Sequence, residues 1–410
     1  MTIPSSRCLI VALASSLVAA ATASAFGPLD PPAGAVAPTG KTTQELYNKI
    51  AKTEPRIAIN STNTPGGVFG TFEITAPGSY YLEADVVQGA NTTGIAIGAS
   101  NVTIDLNGFM VRGSGSGPGT GIRMYLDGQS NITILNGTVT QCGSIGINIS
   151  VGAPQMATIR NVRFIANSAG IRGGDRVTIE DCTVDGNTTD GISVRDFAVI
   201  RNCVARNNGG VGIVTVTSGV VQSCSAATNA GIGISVGTGS QVIDCTSNNN
   251  TGAGIFANNA LLIRACTATA NTGGGISALT GSAIHGCSAL GNQNFGIAAV
   301  NQCELLNNTC TNNLAGASNP GGGIMITGSR NRLEGNHTTG NVRGVDITGT
   351  LNWVGRHTAG GNTGANYVIG VNNAVAPIVP MTLNPVPISG GSYLPAGGPT
   401  ATDPNTNFSF

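Results

Sequence analysis

Charge and aromatic rings are both scarce in this sequence. Only 9% of its 410 residues are charged, 4% are aromatic, there are three histidines and a single tryptophan, and the formal net charge is zero. A surface with so little positive charge has no electrostatic pull on nucleic acid or acidic lipid, which sets those partners aside. A disordered chain is normally highly charged and poor in aliphatics. Here Ile, Val and Ala abound among 61 glycines, so the apolar side chains must be buried in a chain that turns often. No segment past the first 25 residues reaches the roughly 18 apolar residues that a membrane-spanning helix needs. Those first residues read as a secretory leader: Arg7, an apolar run from Cys8 to Ala21, and a small-x-small site at Ala23-Ser24-Ala25.

What is abundant is repetition. Gly-Ile recurs at Gly94, Gly121, Gly146, Gly170, Gly191, Gly212, Gly233, Gly254, Gly275, Gly296 and Gly323, and Gly344-Val345 makes a twelfth copy. From Gly170 to Gly296 the spacing is 21 residues every time. Three further columns keep that period. Ile179, Ile200, Val221, Val242, Ile263, Ile284 and Leu305 form one. Cys182, Cys203, Cys224, Cys245, Cys266 and Cys287, continued by Asn308, form the second. Asn187, Asn208, Asn229, Asn250, Asn271, Asn292 and Asn313 form the third.

A unit of 21 residues with strands of about four residues cannot bury its own apolar face. Stacking each unit on the next brings like side chains about 4.8 Å apart. Each Ile buried in such a stack contributes roughly 1.5–3 kcal/mol. Asn at a bend bonds the next Asn and tolerates unusual backbone angles, and Gly before Ile serves a tight turn. No 3.6-residue periodicity is visible, which excludes helical repeats. The expected fold is all-β, a right-handed parallel β-helix solenoid of about 12 coils with a short N-terminal capping helix. The expected organisation is a leader over 1–25, a linker and N-terminal cap over 26–93, the solenoid over 94–370, and a Pro-rich tail or cap over 371–410. Thr42 with Glu45 fits a capping box for a helix over Thr42–Lys52, which would cover the open sheet edge. The terminal Asn407-Phe408-Ser409-Phe410 reads as an aromatic plug or a docking signal, the plug being favoured.

The strand, Asn-rich corner and Gly-Ile pattern resembles the right-handed parallel β-helix repeat of pectate lyases, polygalacturonases, phage tailspikes and NosD-like periplasmic proteins. The opening resembles uncharacterised exported bacterial β-helix proteins, through Glu54-Pro55-Arg56-Ile57, Asn60-Ser61-Thr62-Asn63-Thr64-Pro65-Gly66, Pro77-Gly78-Ser79-Tyr80-Tyr81-Leu82 and Val102-Thr103-Ile104-Asp105-Leu106-Asn107-Gly108-Phe109. This fold carries many unrelated activities, so the resemblance implies the fold rather than a reaction. Polygalacturonases present clustered aspartates with Gly-His-Gly and Arg-Ile-Lys segments. This chain has no adjacent Asp pair, only His285-Gly286, and no Arg-Ile-Lys.

The cysteine column admits three readings. The leading one is a stack of small buried hydrophobes. The second is three bridges, 182–203, 224–245 and 266–287; the Cα spacing permits them but parallel Cβ vectors oppose them. A metal is least favoured, because a straight column offers a tetrahedral ion only two near ligands. His285 shares a variable column with Glu180, Arg201, Gln222, Ile243 and Arg264 and reads as a surface residue. His337 and His357 have no carboxylate at a matching column, and Asp105 reads as a turn residue.

The densest charge lies over 172–206: Arg172, Asp175, Arg176, Glu180, Asp181, Asp185, Asp190, Arg195, Asp196, Arg201 and Arg206. Glu180 and Arg201 share a column, as do Asp185 and Arg206, so each pair spans one coil as a salt bridge would. From this face come the candidate catalytic residues, Asp181, Asp185, Arg201 and Arg206. No cofactor or metal site is expected, and Ca²⁺ enters only if the chain is a lyase. The favoured function is an exported, non-catalytic scaffold touching polysaccharide or the cell envelope. The alternative is a lyase or hydrolase acting on an acidic polysaccharide. A third reading, metal handling of the NosD-like sort, is opposed by the scarcity of His.

Overall fold

The computed structural model describes residues 42, 43, 45, 46, 54–89, 91–150, 152, 156–314, 321–381, 388–389 and 404–409. The chain divides into two units, 1–55 and 56–410. In the first, the Thr42 N–H donates to Glu45 Oε2 at 2.9 Å and the Glu45 N–H donates to Thr42 Oγ1 at 3.1 Å. This is the reciprocal capping box read from the sequence. The rest of the expected helix, and the leader, lie outside the described residues.

The second unit is a parallel solenoid. Each full coil presents three faces. In the regular part the first face holds strands such as Val177–Glu180, Val199–Arg201 and Val220–Gln222, the second Thr183–Asp185, Val204–Arg206 and Ser225–Ala227, and the third Ile192–Ser193, Ile213–Thr215 and Ile234–Val236. The strands of the third face form one 15-stranded parallel sheet, and those of the other two faces join in a 28-stranded sheet. The register steps by 21, with Ile179 opposite Ile200, Ile200 opposite Val221, and Ile192 opposite Ile213.

Fifteen third-face strands correct the count of about 12 coils drawn from the Gly-Ile tags. The additional strands are Phe72–Ile74, Ala365–Ile369 and Ile388–Ser389. They carry Thr71-Phe72 and Asn366-Tyr367 at the tag position and Ile388 opposite Tyr367, so a Gly-Ile search passes over them.

A three-residue strand of the first or second face sends one side chain inward, as the buried middle positions Ile200, Ala205 and Val221 show, and one of the third face sends two, as Ile213 and Thr215 do. The corners supply the rest of the core. Three single residues per coil adopt left-handed backbone angles; in one coil they are Asp181 (φ 54°), Gly186 (φ 65°) and Phe197 (φ 57°). Each lies immediately before an inward column. Left-handedness therefore belongs to the residue ahead of the ladder Asn, not to the ladder Asn itself.

The glycine of each tag has a reason other than a tight turn. A Cβ on Gly191 would stand 2.6 Å from Gly212 O and 2.9 Å from Asn208 Nδ2, and one on Gly254 would stand 2.6 Å from Asn271 Nδ2. Glycine is retained because the asparagine ladder and the next coil fill the space that a side chain would take.

Candidate functional site

The asparagine column is a continuous hydrogen-bonded ladder inside the rod. Asn187, Asn208, Asn229, Asn250, Asn271 and Asn292 each donate Nδ2 to Oδ1 of the next, at 2.8 to 3.0 Å. Each also donates to a carbonyl, as Asn229 does to Ala205 O at 3.1 Å. Buried amides so satisfied hold one register.

The nine described cysteines are unbridged and buried. Cys203 Sγ donates to Arg201 O at 3.1 Å and to Ile179 O at 3.6 Å, and the rest of the column repeats this arrangement. Neighbouring sulfurs, then burial, push Cys203 and Cys266 up, and the same sulfur contacts act downward at Cys245 and Cys287. Burial acts upward at Cys203, Cys224, Cys245, Cys266 and Cys287 alike. Burial pushes Cys142, which stands at the head of the asparagine ladder, up to about 12.

The acidic candidates of the 172–206 coils face different directions. Asp181 occupies the corner between the first and second faces and accepts from Asn202 Nδ2 at 3.2 Å. Asp185 ends a second-face strand, 2.9 Å from the Arg206 guanidinium, and also accepts from Asn207 Nδ2 at 2.9 Å. Asp190 lies in the turn to the third face and accepts from the Val211 N–H at 2.8 Å. Arg201 lies 3.8 Å from Glu180, and Arg195 lies 3.7 Å from Asp175. Every partner is one coil away. The structure brings together the pairs that share a column and does not gather Asp181, Asp185 and Asp190 around one point.

A second charged cluster on the first face escaped the sequence reading. His285 Nε2 lies 3.1 Å from Glu304 Oε2, and Glu304 Oε1 lies 3.1 Å from Arg332. Arg332 and Arg356 both pair with Glu334, whose side chain is 9% exposed. The Arg332 guanidinium sits 5.6 Å from the ring centroid of Trp353. Leu306, Asn307, Arg332, Glu334, Gly335 and Arg356 line an open depression of about 340 Å³. The columns read at period 21 stop at Leu305, Asn308 and Asn313, because the next step is 28 residues. Glu304 faces Arg332, and Leu306 faces Glu334. Aligning Asn308 and Asn313 with Asn336 and Asn341, also 28 apart, would have revealed the cluster.

The opening motifs have a mechanical role. The Arg56 guanidinium lies 4.7 Å from the centroid of the Tyr81 ring and 2.6 Å from Asp105 Oδ2. Asp105 also accepts from the Asn107 N–H at 2.8 Å, the turn bond expected of it. Three separate pieces of the opening thus clamp the first rungs of the first face.

The right-handed beta helix region family matches residues 93–241, 157–285 and 217–363. The A-module of mannuronan C-5 epimerase AlgE6 from Azotobacter vinelandii is similar in structure, with 16% identity, 78% of this chain and 92% of that chain covered, and a TM-score of 0.50. The catalytic unit of a GH87 α-1,3-glucanase from Streptomyces thermodiastaticus is 11% identical over 73% of this chain and 65% of that one, with a TM-score of 0.49. At these identities the likeness is one of fold. No curated protein matches the sequence. Overlapping family matches from residue 93 to 363, together with the stacked register of the coils, place the chain in the right-handed parallel β-helix family.

Proposed function

We propose that this protein is an exported, non-catalytic rod of the cell surface or extracellular matrix that contacts glycan along its outer faces. One observation carries the reading. The charged side chains of the 172–206 coils, the candidate catalytic residues among them, are bound coil to coil on separate faces instead of converging on a point where a reacting atom would sit. General acid–base work needs a group within hydrogen-bond reach of the proton it moves, and a base already saturated by its neighbour is poorly placed for that. The leader-like first 25 residues support export. For contact, the first face offers an open depression lined by Arg332 and Arg356, with Trp353 against the Arg332 guanidinium. An aromatic ring stacks on a sugar face, and guanidinium groups suit carboxylate or sulfate.

The test is retention and turnover on acidic polysaccharides, with and without Ca²⁺. The expected outcome is retention in affinity electrophoresis without product, weakened by Trp353→Ala and Arg332→Ala. Release of unsaturated or reducing ends, abolished by Asp181→Ala or Arg201→Ala, would instead establish a lyase or hydrolase on the 172–206 coils.

A further inference from the structure

The last described strand does not occupy its place in chain order. Trp353–Gly355 pairs with Ala374–Val375, one period on, with Trp353 opposite Ala374. The same step would set Thr358–Gly360 against Ile378–Pro380. Instead, Asn407–Ser409 lies between them. Phe408 is opposite Thr358 on one side and opposite Val379 on the other. The C-terminal segment is thus an interposed central strand, hydrogen-bonded along both edges.

Its side chains complete columns that the body of the rod leaves unfinished. The column that begins with the cysteines continues through Asn308 and Asn336 to His357. Asn407 stands next, accepting the His357 N–H at 2.8 Å on Oδ1 and donating Nδ2 to Ala376 O at 2.9 Å and Val354 O at 3.3 Å. In direct succession that position would fall to Ile378, which has no acceptor for the His357 N–H. Ser409 enters the small inward column after Ala359 and accepts from Asn366 Nδ2 at 2.7 Å. Asn407 and Ser409 are both fully buried, whereas Phe408 is only partly so. The plug read from the terminal aromatics is therefore a polar one. The backbone completes the fit: the Phe408 N–H donates to His357 O at 2.8 Å, the Arg356 N–H donates to Asn405 O at 2.8 Å, and Tyr367 Oη donates to Phe408 O at 2.9 Å.

These contacts are made by residues 405–409, and the slot recognises them as an extended peptide by strand addition. We propose that the slot between Thr358–Gly360 and Ile378–Pro380 is a strand-acceptor site whose partner is the C-terminal strand of a second copy of this chain. Exchange reproduces every contact of the self-inserted strand, as in domain swapping, and joins two rods at their C-terminal ends.

The test uses full-length protein. Asn407→Lys with Ser409→Lys puts charge at two fully buried positions and expels the strand while leaving the slot intact. Circular dichroism and denaturant unfolding verify that this variant folds. A labelled synthetic peptide of residues 404–410 should bind it saturably, and a peptide carrying Asn407→Ala and Ser409→Ala should bind about a hundredfold more weakly. Wild-type protein refolded at rising concentration should give a growing two-chain fraction by light scattering, reduced by excess peptide. A folded variant that ignores the peptide would show that Ile378–Pro380 closes onto Thr358–Gly360, and would overturn the site. Peptide binding together with wild-type protein that stays single-chain at every concentration would overturn the second copy as occupant.

Discussion

Two corners of the same coils solve one problem with different chemistry. At one, asparagine amides bond both to each other and to a carbonyl 24 residues back, as Asn250 does with Asn271 and Ala226. At the other, Cys245 reaches only carbonyls, Val221 O at 3.4 Å and Ile243 O at 3.2 Å. Where that second column changes to Asn308, its amide takes Ile284 O, again 24 residues back, at 2.8 Å. The inner carbonyl is the constant. Asparagine and cysteine both set a small inward donor against it, and bonding along the column is an addition that asparagine makes and cysteine forgoes.

Breaking the asparagine corner should have the largest effect. Asn250→Ala removes the acceptor of both Asn229 Nδ2 and the Asn229 N–H, and strips Ala226 O and Asn271 Oδ1 of a donor. Each buried group left unpaired costs roughly 1–3 kcal/mol, so a loss of about 4 kcal/mol is expected in denaturant unfolding. A loss below about 1 kcal/mol would show that the ladder is not what holds the register.

Next comes acid. His357 interrupts the asparagine part of the second column, fully buried, and burial pushes its pKa down to about 3, with a lesser contribution from His337. Its Nδ1 finds no partner and its Nε2 lies 3.3 Å from Thr338 Oγ1. A depressed pKa means that the unfolded chain binds the proton first. The contribution is intact above the unfolded pKa near 6.5 and is lost as pH falls toward 3, on the order of 3 kcal/mol by pH 4. His357→Asn should remove this step from a stability-versus-pH profile, since Asn336 and Asn407 flank it with ladder geometry on both sides. An unchanged profile would locate the acid sensitivity elsewhere.

These contrasts also show what the sequence made legible. Columns at period 21 gave the stacking and both ladders because identical residues must meet identical residues. The reason for the tag glycines was hidden, since the space that excludes a Cβ is filled by an asparagine one coil on. The cluster around Glu334 was hidden because a single longer coil shifts the arithmetic from 21 to 28. The place of Asn407 was hidden most deeply: nothing in a linear repeat announces that a strand will return to a gap some 50 residues behind it.

The cysteine corner should yield less. Cys245→Ala removes one small buried group and a weak donor, and about 1 kcal/mol is expected. Native protein at pH 8 should leave the column unreactive toward a thiol reagent, and denatured protein should titrate all six of its thiols. Fewer in the denatured state would mean that bridges form in the protein as expressed.

The smallest effect belongs to the pairs that looked most functional in the sequence. Arg206 is half exposed and meets Asp185 at the surface, where solvent screens the attraction and two side chains lose freedom to make it. Arg206→Ala should change stability by less than about 0.5 kcal/mol. On the scaffold reading it should also leave glycan retention unchanged, because the depression beside Trp353 lies several coils away on another face. A catalytic pair behaves differently: stability would again hold, but product formation would vanish. Measuring unfolding, retention and turnover on this one variant therefore separates a surface staple from a working site, and the separation does not depend on the size of any energy.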